Sequence, residues 1–289
     1  MYFSSDNPLK MPILKFRAFS NFPEIKHGIS SRFGPQNPIW PEVQPETPDD
    51  YKVGGSNLGL PDEVILKRRG EFLEACGGNW QMRLANMVSP HQQHTSNVAL
   101  VGNEAYGATL NWRNSLPNTD GLVTNLPDIP LITGHADCPP VLFFDPSKQV
   151  IGVAHSGWRG TTAKISLEVV RVMVNNFGCD PAGIIASIGP FIGPCCYTVG
   201  EPVLSMAVES FGQENAAKFI RLADNGAYFF DMGSAIQHTL LDSGLNPQNI
   251  TVSGICTRCR NDIFFSYRGA SPAEKGKQGN FGALIMLVK

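Results

Sequence analysis

No stretch of this 289-residue chain reaches the roughly 18 consecutive apolar residues that a membrane-spanning helix needs. The opening MYFSSDNPLKMPILKF lacks a basic leader followed by an apolar run and a small-residue cleavage site, which predicts a cytoplasmic protein. Basic residues do not cluster. With a net charge of −2 and a pI near 6.3, a broad nucleic-acid surface is excluded. The densest basic run, Lys67-Arg68-Arg69, reads as the solvated face of a helix. There is no G-x-x-x-x-G-K-[ST] phosphate loop and no G-x-S-x-G nucleophile elbow. The signature of the zinc deaminases that act on bases is missing too: His135-Ala136-Asp137 stands in place of H-x-E, and Pro194-Cys195-Cys196 in place of P-C-x-x-C. Internal repeats, low-complexity tracts and composition breaks are absent, so one domain over residues 1–289 is expected.

What is present describes a globular chain. A hydrophobic fraction of 42% against 17% charged residues is enough for a sizeable core. Seven cysteines without a secretory signal point to reduced thiols used for metal binding or catalysis, rather than to a disulfide framework. Prolines 35, 38, 41, 45 and 48 exclude helix or inner strand, and a proline-rich insertion is expected at about 35–55. Helices are predicted over about 62–76, 161–177, 202–212 and 232–243, each with an apolar stripe or a glycine stop. Short β-branched or aromatic runs predict strands at 130–133, 141–144, 150–154, 184–188, 250–255, 262–266 and 283–288. Strands and helices intersperse without strict alternation, which favours an α+β fold with mixed sheets over a doubly wound parallel sheet.

Three stretches supply a metal-ligand set: QQHTSNV around His94, HADCPP around Cys138 and AHSGWRG around His155. One thiolate and two imidazoles suit a zinc ion whose fourth position stays open to water. The turn Asp145-Pro146-Ser147-Lys148 joins two predicted strands, so Cys138 and His155 should meet at one end of a hairpin. Asp137, beside the thiol, is a candidate for proton transfer or for orienting a ligand. Cys195 and Cys196 read as packing residues, because neighbouring strand side chains diverge. Cys256-Thr-Arg-Cys259 has the spacing of a redox or zinc motif but no second CxxC to complete it.

The chain resembles the YfiH-like, multicopper-polyphenol-oxidase-like (laccase) domain family. The resemblance rests on HGISSRFG (27–34), SNLGL (56–60), QQH (92–94), TDGLVTN (119–125), ADCPPVLFFDP (136–146), AHSGWRGT (154–161), IGPFIGPCCYTVG (188–200), Cys256-Thr257, FFSYRG (264–269) and GNFGALIML (279–287). It implies a four-layer α/β/β/α sandwich related to deamidating cysteine hydrolases, with zinc on the residues matching His94, Cys138 and His155. It also implies purine nucleoside chemistry: phosphorolysis of adenosine, inosine and methylthioadenosine, and deamination of adenosine. Asn280 stands where the family usually has arginine, and Cys259 lies outside the family pattern.

A true multicopper site requires about ten histidines, whereas this chain has six, so laccase chemistry by that route is excluded within one subunit. A single copper on the same two histidines and cysteine is geometrically allowed, but zinc fits better. Catalytic candidates are Asp137, Cys138 and His155. Phosphate attack on a sugar carbon wants guanidinium forks, which makes Arg32, Arg159 and Arg268 substrate-binding candidates; Asn57, in SNLGL, joins them. Two other readings stay open: a metal-free cysteine hydrolase on a Cys138–His155 dyad, for which the family resemblance implies peptidoglycan precursors as a substrate class, and a non-catalytic metal-binding protein.

Overall fold

The computed structural model describes residues 1–35, 51–53, 60–79, 84–105, 116–273, 275–276 and 278–289. Asn57 and nearly all of the proline-rich segment lie outside these. Among the described residues none forms a helix long and apolar enough to cross a membrane.

Two large sheets organise the chain. The first contains β1 (Tyr2–Ser4), β2 (Ile13–Lys15), β3 (Ile25–Ile29), β14 (Phe281–Leu287) and β6 (Leu131–His135), in that order and antiparallel throughout. The second is mixed. It runs β13 (Ile250–Val252), β9 (Ile185–Ile188), β7 (Pro140–Asp145), β8 (Val150–His155), β5 (Gly121–Thr124) and β4 (Val98–Leu100). Its outer pairs, β13 with β9 and β4 with β5, are parallel, and the inner ones antiparallel. A small antiparallel sheet joins β10 (Thr198–Val199), β12 (Tyr228–Phe230) and β11 (Ile220–Leu222). This is the expected α+β class.

Side-chain parity explains how the strands pack, since successive residues face opposite sides of a sheet. In β14, Ala283, Ile285 and Leu287 join a core shared with Leu142, Phe144, Ile151 and Val153 of the second sheet. Leu284 and Met286 point the other way, against Phe72 and Leu73 of helix α1 (Asp62–Ala75). In β7 and β8, Val141, Phe143, Val150 and Ala154 meet Ile165, Val169, Val170 and Met173 of helix α3 (Ile165–Phe177). That same cluster takes in helices α4 (Glu201–Phe219) and α5 (Met232–Asp242) through Ala207, Phe211, Ala235 and Ile236. Because these central strands are buried on both faces, they read as continuous apolar runs such as PVLFFD rather than as alternating ones.

Three expected elements differ. The predicted helix over 161–177 is split into α2 (Trp158–Thr162) and α3, because Lys164 takes a left-handed conformation (φ 58°) between them. The helix expected to end near Gly212 bends there (φ 76°) and continues to Phe219. The run 262–266 is not a strand. Ile263 and Phe264 amides both close onto the Arg260 carbonyl, and this turn buries the aromatic pair Phe264 and Phe265 between the sheets.

Candidate functional site

One end of the second sheet collects the chemistry. β4, β5 and β7 begin there, whereas β8, β9 and β13 end there, as their pairing registers require. The chain leaves the first sheet at His135 and enters the second at Pro140. Cys138 lies in this four-residue crossover, whose sharpness depends on Asp137 at φ 89°. His155 is the last residue of β8 and pairs with Pro140, so the hairpin brings His155 to Cys138 as expected. His94 arrives on the loop before β4, itself left-handed at φ 61°.

The ligand atoms of His94, Cys138 and His155 lie within 4.8 Å of one another, a group able to hold a metal ion. Cys138 Sγ is 3.8 Å from His94 Nε2. Gly157 makes this convergence possible: a Cβ there would stand 2.7 Å from His94 Cδ2 and 2.8 Å from Cys138 Sγ. His155 Nδ1 donates to Asp120 Oδ1 at 2.8 Å, leaving Nε2 for the thiol side. The same carboxylate accepts the His94 amide at 3.0 Å and the Thr95 amide at 2.7 Å, so Asp120 carries two of the three ligands. Sequence reasoning missed Asp120. Its signal was an acidic residue at the head of an apolar strand, inside TDGLVTN.

The electrostatics favour ionisation of the thiol. Burial opposes a Cys138 thiolate, but the adjacent His155 and His94 outweigh it and bring its pKa down to about 6. Burial likewise opposes a charged His155, and the Cys138 thiolate and Asp120 raise its pKa to about 9. His135 is fully buried and held neutral chiefly by desolvation. Its Nδ1 is 3.0 Å from the Cys138 carbonyl and its Nε2 2.8 Å from Thr133 Oγ1, so it braces the crossover from the first sheet.

These groups open into a cleft of about 660 Å³. Arg159 and Arg268, two of the substrate-binding candidates, line it, and so do Trp158, Tyr197, Tyr267 and Asn280. Arg69 lines it too, which corrects its assignment to a solvated helix face: it is 6% exposed and its Nε donates to the Val53 carbonyl at 3.0 Å. Helix α1 turns that residue inward while Lys67 stays exposed. Arg32 does not line the cleft. Its Nη1 donates to the Asn261 carbonyl at 2.6 Å and its guanidinium lies 5.1 Å from the Phe265 ring centre.

Asp137 is fully engaged by the protein. Its Oδ1 accepts from Thr257 Oγ1 at 2.6 Å, its Oδ2 from the Arg268 amide at 2.7 Å, and its carbonyl from the Ile192 amide at 2.9 Å. Cys195 and Cys196, expected to diverge, instead converge with Cys256 and Cys259, all four sulfurs lying within 4.8 Å. They sit on a helical turn, where neighbouring side chains are about 100° apart rather than opposed. The Cys196 and Tyr197 amides both bond the Gly193 carbonyl there, at 2.9 and 3.0 Å.

Residues 60–288 match the family described as multi-copper polyphenol oxidoreductase laccase. The chain belongs to this family. It is 34% identical over 234 residues to the purine nucleoside phosphorylase YlmD of Bacillus subtilis strain 168, covering 79% of this chain and 81% of that one. It is 31% identical over 186 residues to adenosine deaminase RL5 from an unknown prokaryotic organism, covering 64% and 70%. Among solved structures, the hypothetical protein YfiH of Bacillus licheniformis superposes with a TM-score of 0.82 at 26% identity, covering 99% of this chain and 98% of that one.

Proposed function

We propose that this family member is a zinc-dependent purine nucleoside enzyme, catalysing phosphorolysis of adenosine, inosine and methylthioadenosine and deamination of adenosine. The observation that carries this reading is the convergence of His94, Cys138 and His155 in a cleft that also holds Arg69, Arg159 and Arg268. The names of the Bacillus subtilis phosphorylase and of the RL5 deaminase support it. The donor set fits zinc: one sulfur and two imidazoles, with Asp120 fixing the His155 tautomer and Gly157 leaving room for all three. When bound, the ion supplies Lewis acidity at the position its three protein ligands leave open.

The remaining residues divide the work of binding. The cleft volume of about 660 Å³ falls within the range of small-molecule sites and accommodates a nucleoside with phosphate. Trp158, Tyr197 and Tyr267 offer aromatic faces for a purine, and the three arginines offer guanidinium donors for phosphate oxygens. Phosphorolysis then forms a bond from phosphate oxygen to the sugar carbon and breaks the glycosidic C–N bond, the electron pair leaving on the purine nitrogen. Asp137 acts as a positioning residue, because both its oxygens are occupied by Thr257 and Arg268. The test is incubation of the zinc-loaded protein with adenosine and phosphate, followed by chromatography. Adenine or inosine should appear, and Cys138→Ala should lose both products together with zinc from this site. Absence of turnover across a nucleoside panel at full zinc occupancy would overturn the proposal in favour of a non-catalytic metal protein.

A second reading has one specific support: the lowered pKa of Cys138 and the raised pKa of His155 describe a thiolate–imidazolium pair. Rapid alkylation of Cys138 by iodoacetamide in the untreated protein would favour this cysteine hydrolase. Protection that a chelator relieves would favour the metal.

A further inference from the structure

Two turns at the same end of the second sheet carry a second cluster of soft donors. Beyond β9 the chain makes the turn Gly193–Tyr197, which presents Cys195 and Cys196. Past β13, Cys256–Arg260 makes another, closed by the Arg260 amide on the Cys256 carbonyl at 2.9 Å. That turn places Cys256 and Cys259 at i and i+3, on one face. The Phe191–Cys256 bridge extends the β9–β13 pairing and sets the turns side by side. Cys195 Sγ lies 3.6 Å and Cys196 Sγ 3.5 Å from Cys259 Sγ, and all four sulfurs lie within 4.8 Å of one another.

We propose that Cys195, Cys196, Cys256 and Cys259 form a second, structural metal site, a tetrathiolate that takes one zinc ion. A tetrahedron with zinc–sulfur bonds of about 2.3 Å has sulfur–sulfur edges of about 3.8 Å. The observed 3.5 and 3.6 Å edges approach that figure. A disulfide at about 2.05 Å would select one partner, whereas Cys259 stands almost equally far from Cys195 and Cys196. A polynuclear iron–sulfur cluster needs its cysteines spread around a cage of several atoms, which sulfurs confined within 4.8 Å do not provide. The Gly193 amide donates to Cys256 Sγ at 3.2 Å, a contact that stabilises a thiolate. All four positions of the ion are filled by protein, the pattern of a structural site rather than a catalytic one.

The site acts on the cleft through the turns it ties together. Thr257, inside the Cys256–Cys259 turn, donates to Asp137 Oδ1, and the Ile192 amide holds the Asp137 carbonyl. Tyr197, next to Cys196, lines the cleft. Locking the two turns therefore fixes the crossover that carries Cys138.

Elemental analysis separates the two sites without reference to activity. The reduced, zinc-saturated chain should hold two zinc ions, Cys138→Ala one, the double variant Cys195→Ser/Cys259→Ser one, and the triple variant none. The Cys138→Ala protein needs no alteration of the four thiols, so its result stands even if the serine variants fail to fold. Reconstituted with cobalt, it should show the sulfur-to-cobalt charge transfer of a tetrathiolate and protect Cys195 and Cys259 from iodoacetamide. A reduced Cys138→Ala protein that stays metal-free in excess zinc, or a cobalt form without that band, would each overturn the proposal.

Discussion

Asp120 accepts from five donors: the His94 amide and His155 Nδ1 on Oδ1, and the Gln93 amide, Thr95 amide and Thr95 hydroxyl on Oδ2. Burial alone would raise its pKa. The hydrogen bond and charge of His155, with the Thr95 and Gln93 amides, outweigh burial and bring it down to about 2. An acceptor-only group is what this position requires, since each of these five hydrogen-bonding neighbours is a donor. Asp120→Asn would turn an amide NH₂ against either His155 Nδ1 or the Thr95 pair, whichever way it settled. The loop bearing His94 and the ring of His155 would both lose their orientation. Zinc affinity of the His94–Cys138–His155 site should fall about 10- to 100-fold, the range typical for losing a group that orients a ligand. Competition against a chelator of known affinity measures this, in a Cys195→Ser/Cys259→Ser background so that only one site reports. Unchanged affinity would mean the ligands are held by the backbone alone.

Elements matter here through how closely they approach. Gly28 in β3 lies under the C-terminal end of α1; a Cβ there would clash with Ile13 Cγ2 and stand 2.7 Å from Cys76 Sγ. Gly28→Ala should push α1 away from the first sheet and cost about 1–3 kcal/mol, as overpacking usually does. Urea unfolding should show the lower midpoint. Zinc content should stay the same, because α1 supplies no ligand, and a loss of zinc would show that the sheets are coupled more tightly than the packing indicates. The same closeness separates what the sequence reveals from what it hides. The hairpin that joins Cys138 to His155 was legible, because two apolar runs flank a short turn. The Asp262–Ser266 run has the composition of a strand, but its amides are spent on a turn at Arg260, so its burial came without a ladder. The thiol cluster was hidden because face-sharing at Cys195–Cys196 depends on a helical turn, which no apolar period announces. Arg69 was hidden for a related reason: a basic run on a helix has two sides, and charge alone does not say which one faces the cleft.

At the scale of the whole molecule, the pH dependence of stability should carry the mark of one buried histidine. His27 in β3 is 5% exposed and packs among Phe16 and Phe19, and its Nε2 accepts the Phe16 amide at 2.9 Å. That bond requires an unprotonated nitrogen. Burial, reinforced by the charges of Lys15 and Lys26, takes its pKa from 6.5 down to about 3. In the unfolded chain the ring protonates near its ordinary value of about 6.5. Between these two values the unfolded state binds one more proton than the folded state, so stability falls as the pH falls. The His27 share of this loss should begin below about pH 6.5, proceed at about 1.4 kcal/mol per pH unit, and cease near the folded pKa. It adds to whatever His135, also held neutral by burial, contributes in both proteins. His27→Gln retains an acceptor for the Phe16 amide but cannot take up the proton. Urea unfolding between about pH 6 and 4.5 should therefore show a shallower decline for the variant, by about 1.4 kcal/mol per unit. Carboxylates titrating in this window affect both proteins alike and cancel in the comparison. Parallel declines would place the acid sensitivity of the fold elsewhere than in the contact of His27 with the Phe16 amide just after β2.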